Sequence, residues 1–317
     1  MKVLVTGSNG FIGKHLVSSL RNDKKISLIL SSRLSSEILE RNVDQFIVDS
    51  FDSQTNWKDA LDGVDTVIHL AGLAHNKAVN TRSYSQYLRK INVEAAANLA
   101  FQSVDAGVKK FIFLSSIKVN GEETLSNRPF KADDDPNPQD IYGKSKLEAE
   151  TIIKEIVKDS STVFVIIRPV LVYGPGVRGN FLSLIKWTKI GIPFPLRSVE
   201  NKRSFVSIKN LIDFIIVCLK HPSAANQIFL VCDKYSISSS MLIEKLSHFL
   251  KKRPSLFSFP KIILRILLTL LGKKEMFIKL FGSLEVNIQK NLDTLDWKPI
   301  QSTDEALEET VEYFLRN

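Results

Sequence analysis

Six short apolar runs punctuate residues 1–170: KVLVTG, ISLILSS, QFIVDS, DTVIHLAG, KFIFLSS and TVFVIIRP. Runs this short and this continuously apolar are how strands read when both faces of a parallel sheet are covered. Between several of them lie stretches with helical spacing, clearest in YLRKINVEAAANLAFQSVDAGV. Such strand–helix alternation leaves few architectures open. It implies an α/β fold with a doubly wound, Rossmann-type parallel sheet.

The rhythm loosens after about Pro169, where loop signals cluster in YGPGVRGN and GIPFPL. Helical runs follow at SLIKWTKIG, KNLIDFIIVCLK and SSSMLIEKLSHFLKK. The chain closes on STDE, a capping box of Ser302 and Glu305, with Leu307, Val311, Phe314 and Leu315 on one predicted face. Residues 1–170, completed by parts of 204–233, are expected to form the sheet domain, and 171–317 a smaller, mostly helical lobe.

Charge and composition narrow the partners. A net charge of +9 suits an anionic substrate, nucleic acid or a membrane surface. No Lys/Arg-rich tract is interleaved with aromatics, so nucleic acid is not expected. The run FPKIILRILLTLLGKK, 259–274, is shorter than the ~20 residues of a spanning helix and is broken by Arg265. It is expected to be a packed helix, with attachment to a membrane surface as the sharper reading. Cys218 and Cys232 sit in apolar runs with no CxxC or Cys/His neighbourhood, as reduced core residues of a cytoplasmic protein would. MKVLVTGSNGF reaches glycine too soon for a signal peptide. His69 and His75 lack an HExxH or Cys/His setting, so no metal is expected.

Three motifs carry chemistry. TGSNGFIG follows the first strand with Gly7, Gly10 and Gly13 spaced G-x-x-G-x-x-G. Glycines there permit a tight turn and let backbone amides approach a pyrophosphate at a helix N-terminus. KFIFLSS ends the fifth run, so Ser115 and Ser116 should project beyond the carboxyl edge of the sheet, where ligands of such folds bind. Last, IYGKSK places Tyr142 and Lys146 one helical turn apart on one face. An ammonium beside the phenol should lower its pKa, so that Tyr142 exchanges a proton near neutral pH while hydride moves at a carbinol carbon.

Together these residues resemble the extended short-chain dehydrogenase/reductase family, over nearly the whole chain. The resemblance makes Ser116, Tyr142 and Lys146 the catalytic residues. It implies dinucleotide contacts from Gly7, Asn9, Gly10, Phe11, Ile12 and Gly13. Ser32 and Arg33 after the second strand, Asp49 and Ser50 in IVDS, and Leu70, Ala71 and Gly72 in HLAG extend that set. Asn92 in INVEAAANLA and Pro169 and Val172 in RPVLVYGPG complete it, with Tyr142 and Lys146 also touching the cofactor. Asn180 in GNFLSLI and Arg203 in NKRSF resemble residues that hold a UDP-sugar diphosphate, alongside Ser116; a lobe–lobe salt bridge is the bland alternative for Arg203. LDWKP resembles the family's close, and a homodimer through the long helices of the first domain is the family's habit.

The likeness is greatest to UDP-glucose 4-epimerase-like members and to reductases of UDP-4-keto-6-deoxy-amino sugars. Asn120 stands where VYG is common, Ala74 where many 4-epimerases have lysine, and Ser207 where histidine is common. Both reactions use the same serine, tyrosine and lysine. A carboxylate after the second strand selects NAD, and an arginine accommodates the 2′-phosphate of NADP. Here Ser31, Ser32 and Arg33 follow that strand, with no acid before Glu37. The expectation is therefore NADP(H), with NAD the alternative. Exchangeable NADPH favours reduction of a UDP-4-keto-hexose or N-acetylhexosamine for a surface polysaccharide precursor. The alternative is a 4-epimerase with tightly bound NAD, and a remote one is a non-catalytic dinucleotide sensor.

Overall fold

The computed structural model describes residues 1–32, 43–48, 50–73, 82–125, 127–272 and 274–317. Arg33, Glu37, Asp49, Ala74 and His75 lie outside the described residues. The six apolar runs form β1 (Lys2–Thr6), β2 (Ser27–Ser32), β3 (Val43–Ile47), β4 (Thr66–His69), β5 (Lys110–Leu114) and β6 (Val163–Pro169). β7 (Leu171–Tyr173) and β8 (Phe205–Ser207) pair with each other, and β9 (Gln227–Val231) returns to the main sheet. That sheet is parallel throughout, in the order β3-β2-β1-β4-β5-β6-β9.

Strand alternation divides the core between two faces. Val3, Val5, Leu28, Leu30, Ile68 and Ile112 face one side; Leu4, Ile29, Val67, Phe111 and Phe113 face the other. α1 (Phe11–Leu20) covers the first face through Leu16, Val17 and Leu20. α2 (Lys58–Leu61) packs on the second. The long amphipathic stretch divides into α3 (Arg82–Arg89), a π-type turn at Lys90–Glu94, and α4 (Ala95–Asp105). α4 and α5 (Ile141–Val157) complete the second face with Leu99, Ala149 and Ile153.

α6 (Gly179–Ile190) begins the second lobe. α7 (Ile208–Lys220) goes back to the first face of the sheet, against α1. α8 (Ser239–Phe249), α9 (Lys261–Leu270), α10 (Lys274–Phe281), α11 (Gln289–Leu295) and α12 (Thr303–Arg316) complete the chain. α6, α8 and α12 enclose Phe181, Ile185, Leu246, Leu307 and Val311. Leu284, Leu295 and Trp297 join the sheet's core, where the Trp297 ring lies 4.7 Å from Phe214.

The capping box at Ser302 and Glu305 forms as expected. Leu307 and Val311 are buried and Phe314 packs beside them, but Leu315 is 50% exposed. It lies two turns from Leu307 and has rotated off the buried stripe. The helix expected within 259–274 forms and packs, but only through Leu264 and Leu268. In α9 Leu268 is buried, whereas Ile262, Ile263, Ile266, Leu267 and Leu270 are exposed.

Candidate active site

Strand order reverses at β1, whose Thr6 pairs with Ser31 on one side and His69 on the other. Ligands of doubly wound sheets lie in the crevice beyond such a switch point. The glycine loop occupies it. Gly7 has φ +72°, and a Cβ there would stand 2.7 Å from the Ala71 nitrogen. A Cβ on Gly13 would overlap the Gly7 carbonyl oxygen. Glycine is therefore required where loop, helix and β4 exit meet. Gly10 caps α1 with no side-chain bond to the first-turn amides and no acid in that turn. Those amides and the helix dipole can receive an anion.

Asn9 is exposed at the tip of the loop, and Phe11 and Ile12 pack partly against the core below. Leu70 and Ala71 continue from β4, their amides directed at Thr6 O (3.2 Å) and Thr6 Oγ1 (3.4 Å). Ser32 ends β2 and Ser50 lies in the turn after β3, where its carbonyl accepts from Thr55 Oγ1 at 2.9 Å. Neighbouring Ser31 is buried with its hydroxyl lacking a described partner. His69 bonds Thr6 Oγ1 through Nδ1 at 2.8 Å and stacks between Phe51 and Phe113. Burial, aided by the Lys146 charge, holds its pKa down at about 3, so the imidazole is neutral.

The acid–base group stands on α5. Asp140 caps that helix, accepting from Gly143 N at 2.7 Å. Tyr142 shares a hydrogen bond with Ser116, which follows β5. Lys146 is buried, with Nζ donating to the Leu114 carbonyl at 2.9 Å and lying 4.6 Å from the centroid of the Phe113 ring. Gly72 borders the same space: a Cβ there would be 3.1 Å from Asn92 Oδ1 and 3.4 Å from Lys146 Nζ. Asn92 sits in the π-type turn as a brace, accepting from Leu73 N at 2.8 Å and donating to Ser145 Oγ at 3.2 Å.

Electrostatics here differs from the expectation. Tyr142 is pushed up to about 12, first by burial and then by the Asp140 charge, with the Ser116 bond opposing. Lys146 falls to about 8 because burial penalises its ammonium, with Glu150 opposing. In the protein alone, burial outweighs the neighbouring lysine, and Tyr142 is a protonated acid at neutral pH. Ser115 is also corrected: its hydroxyl points inward and bonds Glu150.

Glu150 belongs to a network that motif reading passes over. Arg168 forks onto both its oxygens, at 2.9 and 2.6 Å, and donates to Asn120 Oδ1 at 3.0 Å. Asn120, the departure from VYG, thus accepts from Arg168 and donates to the Lys131 carbonyl at 3.1 Å. Two signals were present in the sequence. Glu150 is i+4 from Lys146, and Arg168 is the one charge in TVFVIIRP.

The outlying residues lie on the second lobe or on the way to it. Pro169 ends β6, Val172 is in β7, and Asn180 is exposed in the first turn of α6, whose N-terminus has no side-chain cap. Arg203 donates through Nη1 to the Gly282 and Ile278 carbonyls at 3.0 and 3.4 Å. Among the described residues it makes no salt bridge, although Glu123 and Glu122 act on its charge. Desolvation lowers its pKa to about 10, leaving it cationic at neutral pH.

Residues 3–232 match the NAD dependent epimerase/dehydratase family. The chain is 41% identical over 315 residues to the UDP-glucose 4-epimerase of Vibrio cholerae, covering 99% of this chain and 95% of that protein. It is 29% identical over 255 residues to the N-acetyl-alpha-D-glucosaminyl-diphospho-ditrans,octacis-undecaprenol 4-epimerase of Escherichia coli O157:H7, covering 79% and 73%. The fold is similar to that of UDP-glucuronic acid 4-epimerase from Bacillus cereus in complex with NAD. There the TM-score is 0.79 at 22% identity, covering 100% of this chain and 99% of that one.

Proposed function

Since this chain belongs to the NAD dependent epimerase/dehydratase family, within the extended short-chain dehydrogenases/reductases, we propose that it is an NAD-dependent 4-epimerase of a UDP-sugar. One observation carries the choice. The 41% identity to a UDP-glucose 4-epimerase runs through the substrate lobe as well as the sheet, covering 99% of the chain. It supports the epimerase over the reductase that the Ser31, Ser32 and Arg33 sequence favours. The family's description likewise supports NAD over NADP.

The glycine loop and the uncapped start of α1 fit a dinucleotide pyrophosphate. NAD held there would supply a reversible hydride acceptor and the positive charge of its nicotinamide ring. Lys146 holds the floor of the site through the Leu114 carbonyl and borders the gap beside Gly72. Ser116 Oγ holds the C4 oxygen of the sugar and the Tyr142 hydroxyl together. With the cofactor's positive charge in place, Tyr142 would first lose its own proton to solvent, and its phenolate would then take the C4 hydroxyl proton as hydride leaves C4, giving a 4-keto sugar. It returns that proton when hydride comes back to the opposite face. Arg203 and Asn180 hold the diphosphate, so the sugar ring can turn without leaving.

The test is direct. Purified protein should release NAD on denaturation and interconvert gluco and galacto UDP-sugars with no added cofactor. Consumption of NADPH against a UDP-4-keto sugar, with no epimerisation, would return the assignment to the reductase.

A further inference from the structure

α9 is apolar on the side that faces solvent. Its packed stripe is the buried Leu268 and the partly buried Leu264, against Phe194, Leu196, Phe277 and Phe281. The opposite stripe, Ile262, Ile266 and Leu270, is 74%, 54% and 79% exposed. Residues four apart share a helix face, so these three form one continuous apolar ridge. Phe257 and Phe259 extend it before the helix, at 41% and 37% exposure. The loop after α6 adjoins them, because Phe194 N donates to the Ser255 carbonyl and its own carbonyl accepts from Phe257 N, and Ile190 and Ile192 in that stretch are exposed too. An uncovered apolar area of this kind marks an interaction surface.

Charge identifies what covers it. No acidic residue occurs between Glu244 and Glu275. Lys251, Lys252, Arg253, Lys261 and Arg265 are all exposed in this interval, and among the described residues none of them forms an ion pair. Lys261 and Arg265 lie on the flank of the ridge, one position before Ile262 and Ile266. A cleft of about 420 Å³ opens beside the start of α9, with Pro195, Val199, Phe259 and Phe281 in its walls alongside Lys261 and one acid, Glu200. A protein partner covering an apolar ridge needs no such one-sided charge; a surface of lipid phosphates does. We propose that the α9 ridge docks on an anionic lipid bilayer, its side chains reaching the acyl boundary and the flanking cations meeting headgroup phosphates. The 10-residue helix is about 15 Å long and lies in the plane of the surface rather than across it. α10 packs beside α9 and supplies the Ile278 carbonyl that holds Arg203. The docked surface therefore adjoins the support of the diphosphate residue.

Flotation of the full chain with phosphatidylcholine vesicles, with and without phosphatidylglycerol, tests this without reference to activity. The protein should float with the phosphatidylglycerol vesicles and be released as salt rises. Lys261→Ala/Arg265→Ala should weaken partitioning about 30-fold, two cations each acting near the surface. Ile262→Ser/Ile266→Ser should abolish it, with circular dichroism and bound nucleotide unchanged. Three results overturn the proposal: no flotation with either vesicle, equal flotation with both, or partitioning unchanged in the two variants. A concentration-dependent dimer that Ile266→Ser dissociates, with no vesicle binding, would assign the ridge to a second copy instead.

Discussion

Tyr142 and Lys146 are one helical turn apart, yet burial displaces them in opposite directions on the pH scale. Tyr142 stands at about 12 and Lys146 at about 8, so each disfavours its charged form. Tyr142→Phe removes the exchangeable proton and keeps the ring. Turnover should fall on the order of 10²–10⁴-fold with UDP-sugar affinity kept, as single-turnover kinetics and calorimetry would record. Near-normal turnover would take Tyr142 out of the mechanism. Lys146 makes a second prediction. Its folded pKa of about 8 lies below the ordinary 10.5, so between those values the unfolded chain binds more protons. The group's contribution to stability therefore rises with pH across that window. In nucleotide-free protein, the melting temperature of the wild type should gain on Lys146→Met as pH goes from 8 to 10.5. A flat difference would mean that Lys146 is not held in its depressed state.

At the scale of elements, the site depends on how α5 is fastened to β6. Arg168 is 2% exposed and Glu150 is fully buried, and their two parallel hydrogen bonds join strand to helix beneath Lys146. Such a pair costs much desolvation and adds little net stability, but losing one partner leaves a buried charge alone. Arg168→Met should therefore destabilise by about 3–5 kcal/mol, roughly a 5–8 °C fall in melting temperature for a chain of 317 residues. The double change Glu150→Leu/Arg168→Met should recover most of that loss. A double variant as unstable as the single one would show that the pair is not the source. The Ser115 and Asn120 bonds converge on the same two side chains, so one polar knot orders the exit of β5, the end of β6 and the middle of α5.

For the whole molecule, the second lobe is positioned by backbone that leaves and re-enters the first. α7 and β9 belong to the sheet layer, and the 284–297 stretch returns Leu284, Leu295 and Trp297 to its core. Arg203 sits at this junction, its backbone bridged to Ile237 and Leu284 and its guanidinium tied to the end of α10. Arg203→Ala should raise KM for a UDP-sugar strongly, with bound NAD and the melting temperature little changed. Steady-state kinetics beside thermal melts separates the readings. An unaltered KM with a lower melting temperature would make Arg203 a fastener of α10 only.

Local chemistry made much of this protein legible in its residues. Short continuous apolar runs that alternate with helical stretches read as strands covered on both sides, and all six of those marked out are strands of the parallel sheet. The glycine spacing, the STDE cap and the Tyr142–Lys146 turn depend on neighbours within one or two helical turns, so sequence alone determined them. The tertiary structure decided what depends on distant partners. Tyr142 rises because of what buries it, and spacing cannot report burial. Ser115 turns inward because Glu150, 35 residues on, accepts a hydrogen bond from its hydroxyl. The 259–274 run looks like core by composition, yet only one stripe of α9 meets Phe194, Phe277 and Phe281, and the rest stays in solvent. Hydrophobicity states that a side chain gains by being covered; only the arrangement of the other helices settles whether this chain does the covering.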